Sequence, residues 1–143
     1  MSRSNYQDGY DMEQWDLIRW RGAVKSAIRG ARGQKLLREL LDALDAMPVK
    51  ELIAESLQEQ DGGVCALGSL AQRKGIDVSA INPEDSNCVA KTFGIADALA
   101  REIAFENDEV NTRFTPEERW EYMRQWVDSH IYRPANVPGE EGK

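Results

Sequence analysis

Cys65, His130 and the adjacent pair Asn107 and Asp108 are the residues of this chain whose types suit nucleophilic chemistry. A cysteine nucleophile needs a base within hydrogen-bond reach and a third group to orient that base, and these side chains supply one of each. Their surroundings point elsewhere. Cys65 sits in "VCALG", a setting where free cysteine more commonly serves as a small buried hydrophobe. His130 falls at the end of the last helical pattern, where its charge complements the helix dipole. A cysteine-dependent hydrolase is therefore the last-ranked reading, and no catalytic residue is assigned. The chain reads as a binding protein before it reads as an enzyme.

Cofactor signatures are missing as well. "GVCALG" lacks the glycine spacing of a phosphate or dinucleotide loop. Two cysteines and one histidine, with no Cys-x-x-Cys, fall short of a zinc site. The run Glu106, Asn107, Asp108, Glu109 lacks the alternating acids of a calcium loop. No metal and no cofactor are expected. Asn107 and Asp108 read instead as a structural or functional turn, suited to capping the helix before them or the start of the next element.

Residues 19–38, "RWRGAVKSAIRGARGQKLLR", carry seven Lys or Arg and no acid. The whole chain holds 18 basic and 25 acidic residues for a net charge of −7, so the remainder stands at −14. On a helix Arg21, Lys25 and Arg29 fall four apart in one stripe. Arg32 is expected in the following turn and Lys35 at the opening of the next helix. Cations there oppose the dipole of that helix, as do Asp42 and Asp45 near its other end, at about 0.3–1 kcal/mol each. Broken local rules of this kind point to contacts elsewhere, within the molecule or with a partner. Internal pairing is one explanation, an acidic protein surface a second and a phosphate backbone a third. Only Trp20 is present in the segment to stack on a base, and it lies on the apolar side.

The elements that must position these residues read as helical. A first helix at about 12–29 lines up Leu17, Trp20, Val24, Ala27 and Ile28. Gly30 and Gly33 bracket an expected turn, and Leu36, Leu37, Leu40, Leu41, Leu44 and Met47 form the broad face of a second helix. "KELIAESLQEQ" (residues 50–60) reads as a shorter third helix, and "VCALGSLAQRK" as a fourth, halted by Gly75. Cys65, Ala66 and Gly68 allow close approach of another helix there. "IDVSAI" suits a short extended piece, and Asn82-Pro83 a helix start capped by Asn82. A helix then leads to Gly94, and another covers "IADALAREIAFEN". Thr115-Pro116-Glu117-Glu118 carries the strongest boundary signal, an N-cap Thr with Glu three residues on. Trp120, Met123, Trp126, Val127 and Ile131 follow as a buried stripe, although Trp120 and Trp126, six apart, cannot both sit at its centre. The expected fold is all-α: a compact single-domain bundle of about six helices over residues 12–132, with a flexible segment at 1–11 and a disordered acidic tail at 133–143.

The stretches "RWRGAVKSAIRGARGQ", "LRELLDALDAMPVKELIAESL" and "CALGSLAQRKGID", followed by "LAREIAFENDE" and "TPEERWEYMRQWV", resemble a family of small proteins encoded by bacteriophages and prophages. The likeness runs from about Asn5 to Ile131. It implies a setting, phage genes expressed in a bacterial cytoplasm, rather than a reaction. A cytoplasmic place also agrees with the two cysteines and the lack of an apolar export signal or a run of about 18 apolar residues. The leading expectation is a protein that binds a host protein through Arg21, Lys25, Arg29, Arg32 and Lys35. A nucleic-acid-associated protein using the same cations is the first alternative, and no membrane partner is expected.

Overall fold

The leucines of the second helical pattern make the centre of the fold. In the computed structural model, which describes residues 3–4 and 14–133, α2 (Ala31–Ala46) buries Leu36, Leu37, Leu40, Ala43 and Leu44 along one side. It packs against α6 (Pro116–His130), α3 (Ala66–Lys74) and the end of α1 (Gln14–Arg29). A second layer forms where α5 (Asp97–Asp108) meets α4 (Ser86–Phe93) and α1. Leu99, Ile103, Met123 and Val127 close the core between these layers. The architecture is an all-α bundle, and among the described residues the sole β feature is one bridge between Gln58 and Val64. No helix is long and apolar enough to cross a membrane among the described residues.

Local chemistry accounts for the best-defined boundaries. Thr115 Oγ1 accepts from the Glu118 N–H at 3.1 Å while the Thr115 N–H donates to Glu118 Oε1 at 2.9 Å, so the capping box starts α6. Met123, Trp126, Val127 and Ile131 are buried as the spacing predicts, and Trp120 is the half-exposed one of the pair. Its indole N–H donates to the Leu44 carbonyl at 3.1 Å, which ties α6 to α2.

Five local expectations are corrected. Residues 30–33 are no turn: α2 begins at Ala31, with Gly30 alone between it and the end of α1. Gly33 lies inside α2, where a Cβ would fall 1.9 Å from the Ala27 carbonyl oxygen, so its role is to let the two helices meet at a sharp corner. Asn82 caps only a short turn, accepting from the Glu84 N–H, and the N-cap of α4 is Asp85. Residues 76–81 form a turn around Asp77, whose carboxylate accepts from the Ser79 N–H and hydroxyl, rather than an extended piece. Leu17 is 39% exposed and its neighbour Ile18 51%, so the apolar face of α1 is covered only from Trp20 onward.

The fifth correction bears most on the site. Residues 50–60 are not a helix but an irregular strap that buries Leu52 and Leu57. An uncapped helix of this length is marginal in water, and here long-range partners take its backbone groups. The Leu52 N–H donates to the Pro116 carbonyl, the Ile53 N–H to that of Val64 and the Glu55 N–H to Asp108. Gly68 at the start of α3 meets the strap rather than another helix, since a Cβ there would stand 1.9 Å from the Leu57 carbonyl oxygen.

The proposed flexible segment and tail fall almost wholly outside the described residues. Arg3, Ser4 and Arg133 are the exceptions: the first two are buried, and Arg133 is exposed and paired with Asp128.

Candidate functional site

The cations singled out from sequence occupy the outer side of α1 and α2. Arg21, Lys25 and Arg29 lie on one stripe of α1, and Ile18 shares it. Arg32 lies in the first turn of α2 rather than in a turn before it, and Lys35 follows one turn later on the face opposite the buried leucines. All five side chains are exposed, and none makes an ion pair or hydrogen bond. Elsewhere most cations are engaged. Lys74 pairs with Glu39, Arg101 with Asp97, Arg124 with Asp45 and Arg133 with Asp128. Within the segment itself Arg38 donates to the Tyr132 carbonyl, and Arg19 is engaged as well.

The two kinds of dipole violation in α2 thus have different explanations. Asp45, misplaced near the C-terminus, accepts from Arg124 Nε at 2.7 Å and Nη2 at 3.2 Å. Lys50 Nζ meanwhile donates to the carbonyls of Asp45 and Met47 and offsets the negative end of the helix. Arg32 and Lys35 at the positive end have no such compensation, and the Gly30 N-cap offers no side-chain acceptor. Trp20 is not offered to a base: it is half-buried, with the Arg101 guanidinium 4.5 Å from its ring centre.

Asn107 and Asp108 are not in a turn. They form the last residues of α5 and are buried at the junction of α3, α5, α6 and the 50–60 strap. The Asn107 side-chain carbonyl accepts from the Ala66 N–H at 3.1 Å, which satisfies an orphan donor at the start of α3. Its amide donates to the Ile53 carbonyl at 2.9 Å and to Asp108 Oδ1 at 2.8 Å. Asp108 Oδ1 also accepts from the Glu55 N–H at 3.0 Å. Arg119, buried on α6, closes the junction by donating from Nε to the Asn107 carbonyl at 2.8 Å. The expected role as an acceptor of backbone donors holds in kind, but the pair acts from a helix end.

Into this junction comes Arg3. Its Nε and Nη2 donate to Asp108 Oδ2 and Oδ1 at 2.6 and 2.7 Å, and its Nη1 donates to Cys65 Sγ at 3.4 Å. Burial works against the Arg3 charge, but the Cys65 sulfur and the bond to Asp108 outweigh it and hold the guanidinium above its ordinary value. The sulfur also accepts from the Gly68 N–H and so caps α3. Cys65 and His130 are not brought together: His130 Nδ1 stands 2.7 Å from the Trp126 carbonyl within its own helix. Among the described residues no group of three or more His, Cys, Asp or Glu is arranged to hold a metal.

Glu106, one turn from Glu102 on α5, faces Tyr122 of α6, whose hydroxyl donates to it. Burial first, and then the bond to and charge of Glu102, push the Glu106 carboxyl up to about 7, against a lowering pull from Tyr122.

Sequence reasoning passed over Arg3 and Arg119. Arg119 had a signal, since it stands four before Met123 on the buried stripe of α6. Arg3 had none, because its partner Asp108 lies 105 positions away.

A scan against protein-family models gives no match, and neither curated proteins nor solved structures show a similar chain.

Proposed function

We propose that the chain acts by binding, with the cationic outer face of α1 and α2 docking onto an acidic surface of another protein. The observation that carries this reading is the state of Arg21, Lys25, Arg29, Arg32 and Lys35: exposed and without partners in a molecule that has acids in excess. Leu17 and Ile18 stand exposed beside Arg21, and apolar side chains next to arginine suit a protein partner better than a phosphate backbone. The remaining charge of −14 repels a polyanion that extends beyond the patch, while a local acidic patch is steered to it. Guided by the resemblance to phage and prophage proteins, we take the partner to be a protein of the bacterial host.

The test is capture from host lysate by the wild-type chain and by Arg29→Glu/Arg32→Glu, each with and without nuclease. The wild type should retain a protein partner after nuclease treatment, and both added salt and the double reversal should release it. Thermal unfolding of the double variant should stay close to wild type, because the replaced side chains are exposed and have no hydrogen bond or ion pair to lose. Retention by the double variant would refute the reading. Loss of the partner on nuclease treatment would transfer the same cations to nucleic acid.

A further inference from the structure

Arg3 and Ser4 touch the body of the protein as a ligand touches its site. The Arg3 guanidinium lies fork-to-fork on Asp108, the geometry that reads arginine in preference to lysine. The next residue is read twice. Arg101 Nε donates to the Ser4 carbonyl at 2.6 Å, and the Ser4 hydroxyl donates to Glu109 Oε2 at 2.7 Å. α5 and its C-cap residue Glu109 thus supply, within nine residues, partners for a side chain, a backbone carbonyl and a hydroxyl of a two-residue peptide.

The receiving groups are set by the rest of the molecule. Asp108 is held by the Glu55 N–H and the Asn107 amide, and Cys65 Sγ is fixed by the Gly68 N–H. Glu55 takes a left-handed backbone, φ 70°, to point its N–H at Asp108. For a residue other than glycine that conformation is strained, and such strain gathers at sites that must be pre-shaped. A void of about the size of one water lies beside Arg3 among Leu57, Leu67, Val89, Ala100 and Ala104. Neither residue 3 nor residue 4 contributes an apolar side chain to the core.

We propose that the seam of α3, α5 and the 50–60 strap is a recognition site for an arginine-plus-hydroxyl peptide segment of a partner protein, and that residues 3–4 of this chain are its resident competitor. The site is separate from the cationic face and does not depend on that reading. Residues 3–4 belong to the same chain and occupy the site, so a partner segment must displace them to bind.

The test uses the full-length chain with Arg3→Ala, which empties the arginine position, and a fluorescent peptide of residues 1–9, "MSRSNYQDG". Anisotropy should show saturable binding, about tenfold or more tighter than to the wild type, where the arm competes. The same peptide with Arg3→Lys should bind about tenfold weaker or worse, as should any peptide to the Arg3→Ala/Asp108→Asn chain. Arg3→Gln serves if Arg3→Ala does not fold, and failure of both to fold overturns the proposal, because the arm would then be a fixed part of the core. Absence of saturable binding to a folded variant, or equal binding of the lysine peptide, overturns it too. A wild-type dimer that forms with concentration and vanishes with Arg3→Ala would assign the site to a second copy's arm and reject the partner segment.

Discussion

Asn107→Ala is the substitution that most directly tests how the junction is held. The side chain is 2% exposed and serves three neighbours at once: the Ala66 N–H at 3.1 Å, the Ile53 carbonyl at 2.9 Å and Asp108 at 2.8 Å. Alanine leaves both of the first two groups unpaired, the Ala66 N–H buried and the Ile53 carbonyl partly so. Each orphan costs roughly 1–3 kcal/mol, so the expected loss is about 2–6 kcal/mol. Asp108 keeps Arg3 and the Glu55 N–H and adds little to that figure. Urea unfolding followed by the fluorescence of the four tryptophans measures it. The midpoint should fall by about 1–3 M at unchanged slope. Asn87→Ala, on the exposed side of α4, is the control and should change stability by no more than about 0.5 kcal/mol. A loss below about 1 kcal/mol for Asn107→Ala would show that the strap and α3 do not rely on this amide, and the account of why residues 50–60 are not helical would fail with it.

Two further outcomes are expected. Glu106, raised from 4.5 to about 7, binds its proton more tightly in the folded chain than in the unfolded one, so stability should fall as pH rises through that window and level off above it. Denaturant titrations of wild type and Glu106→Gln between pH 5 and 8 check this, since the difference between them should carry the slope; a pH-independent difference would show that Glu106 is ionised throughout. Gly68→Ala should destabilise by at least about 1–3 kcal/mol, because its Cβ would be driven against the Leu57 carbonyl, whereas Gly22→Ala, with nothing within 4 Å in mid-helix, should stabilise by up to about 1 kcal/mol. Thermal unfolding of both variants separates a steric effect from one of helix propensity.

The candidate surfaces were unequally legible. Arg21, Lys25 and Arg29 could be placed on one stripe from their spacing, because an α-helix converts a four-residue interval into a shared face whatever lies around it. That Arg32 and Lys35 have no partner while Asp45 does could not be read that way, since it depends on where Arg124 of α6 arrives. The peptide-like seating of Arg3 was wholly hidden for the same reason.

What the amino-acid order determined alone is whatever its neighbours decide: the helical class, the leucine face of α2, the Thr115–Glu118 start of α6 and the ends at Gly75 and Gly94. These are short-range matters of periodicity, capping and backbone conformation. Only the tertiary structure decided that residues 50–60 would give up a helix, that Asn107 and Asp108 would serve three elements from a helix end, and that Arg21, Lys25, Arg29, Arg32 and Lys35 would stay uncovered. Each of those outcomes turns on polar groups far apart in sequence, where a buried hydrogen bond made or missed outweighs local propensity.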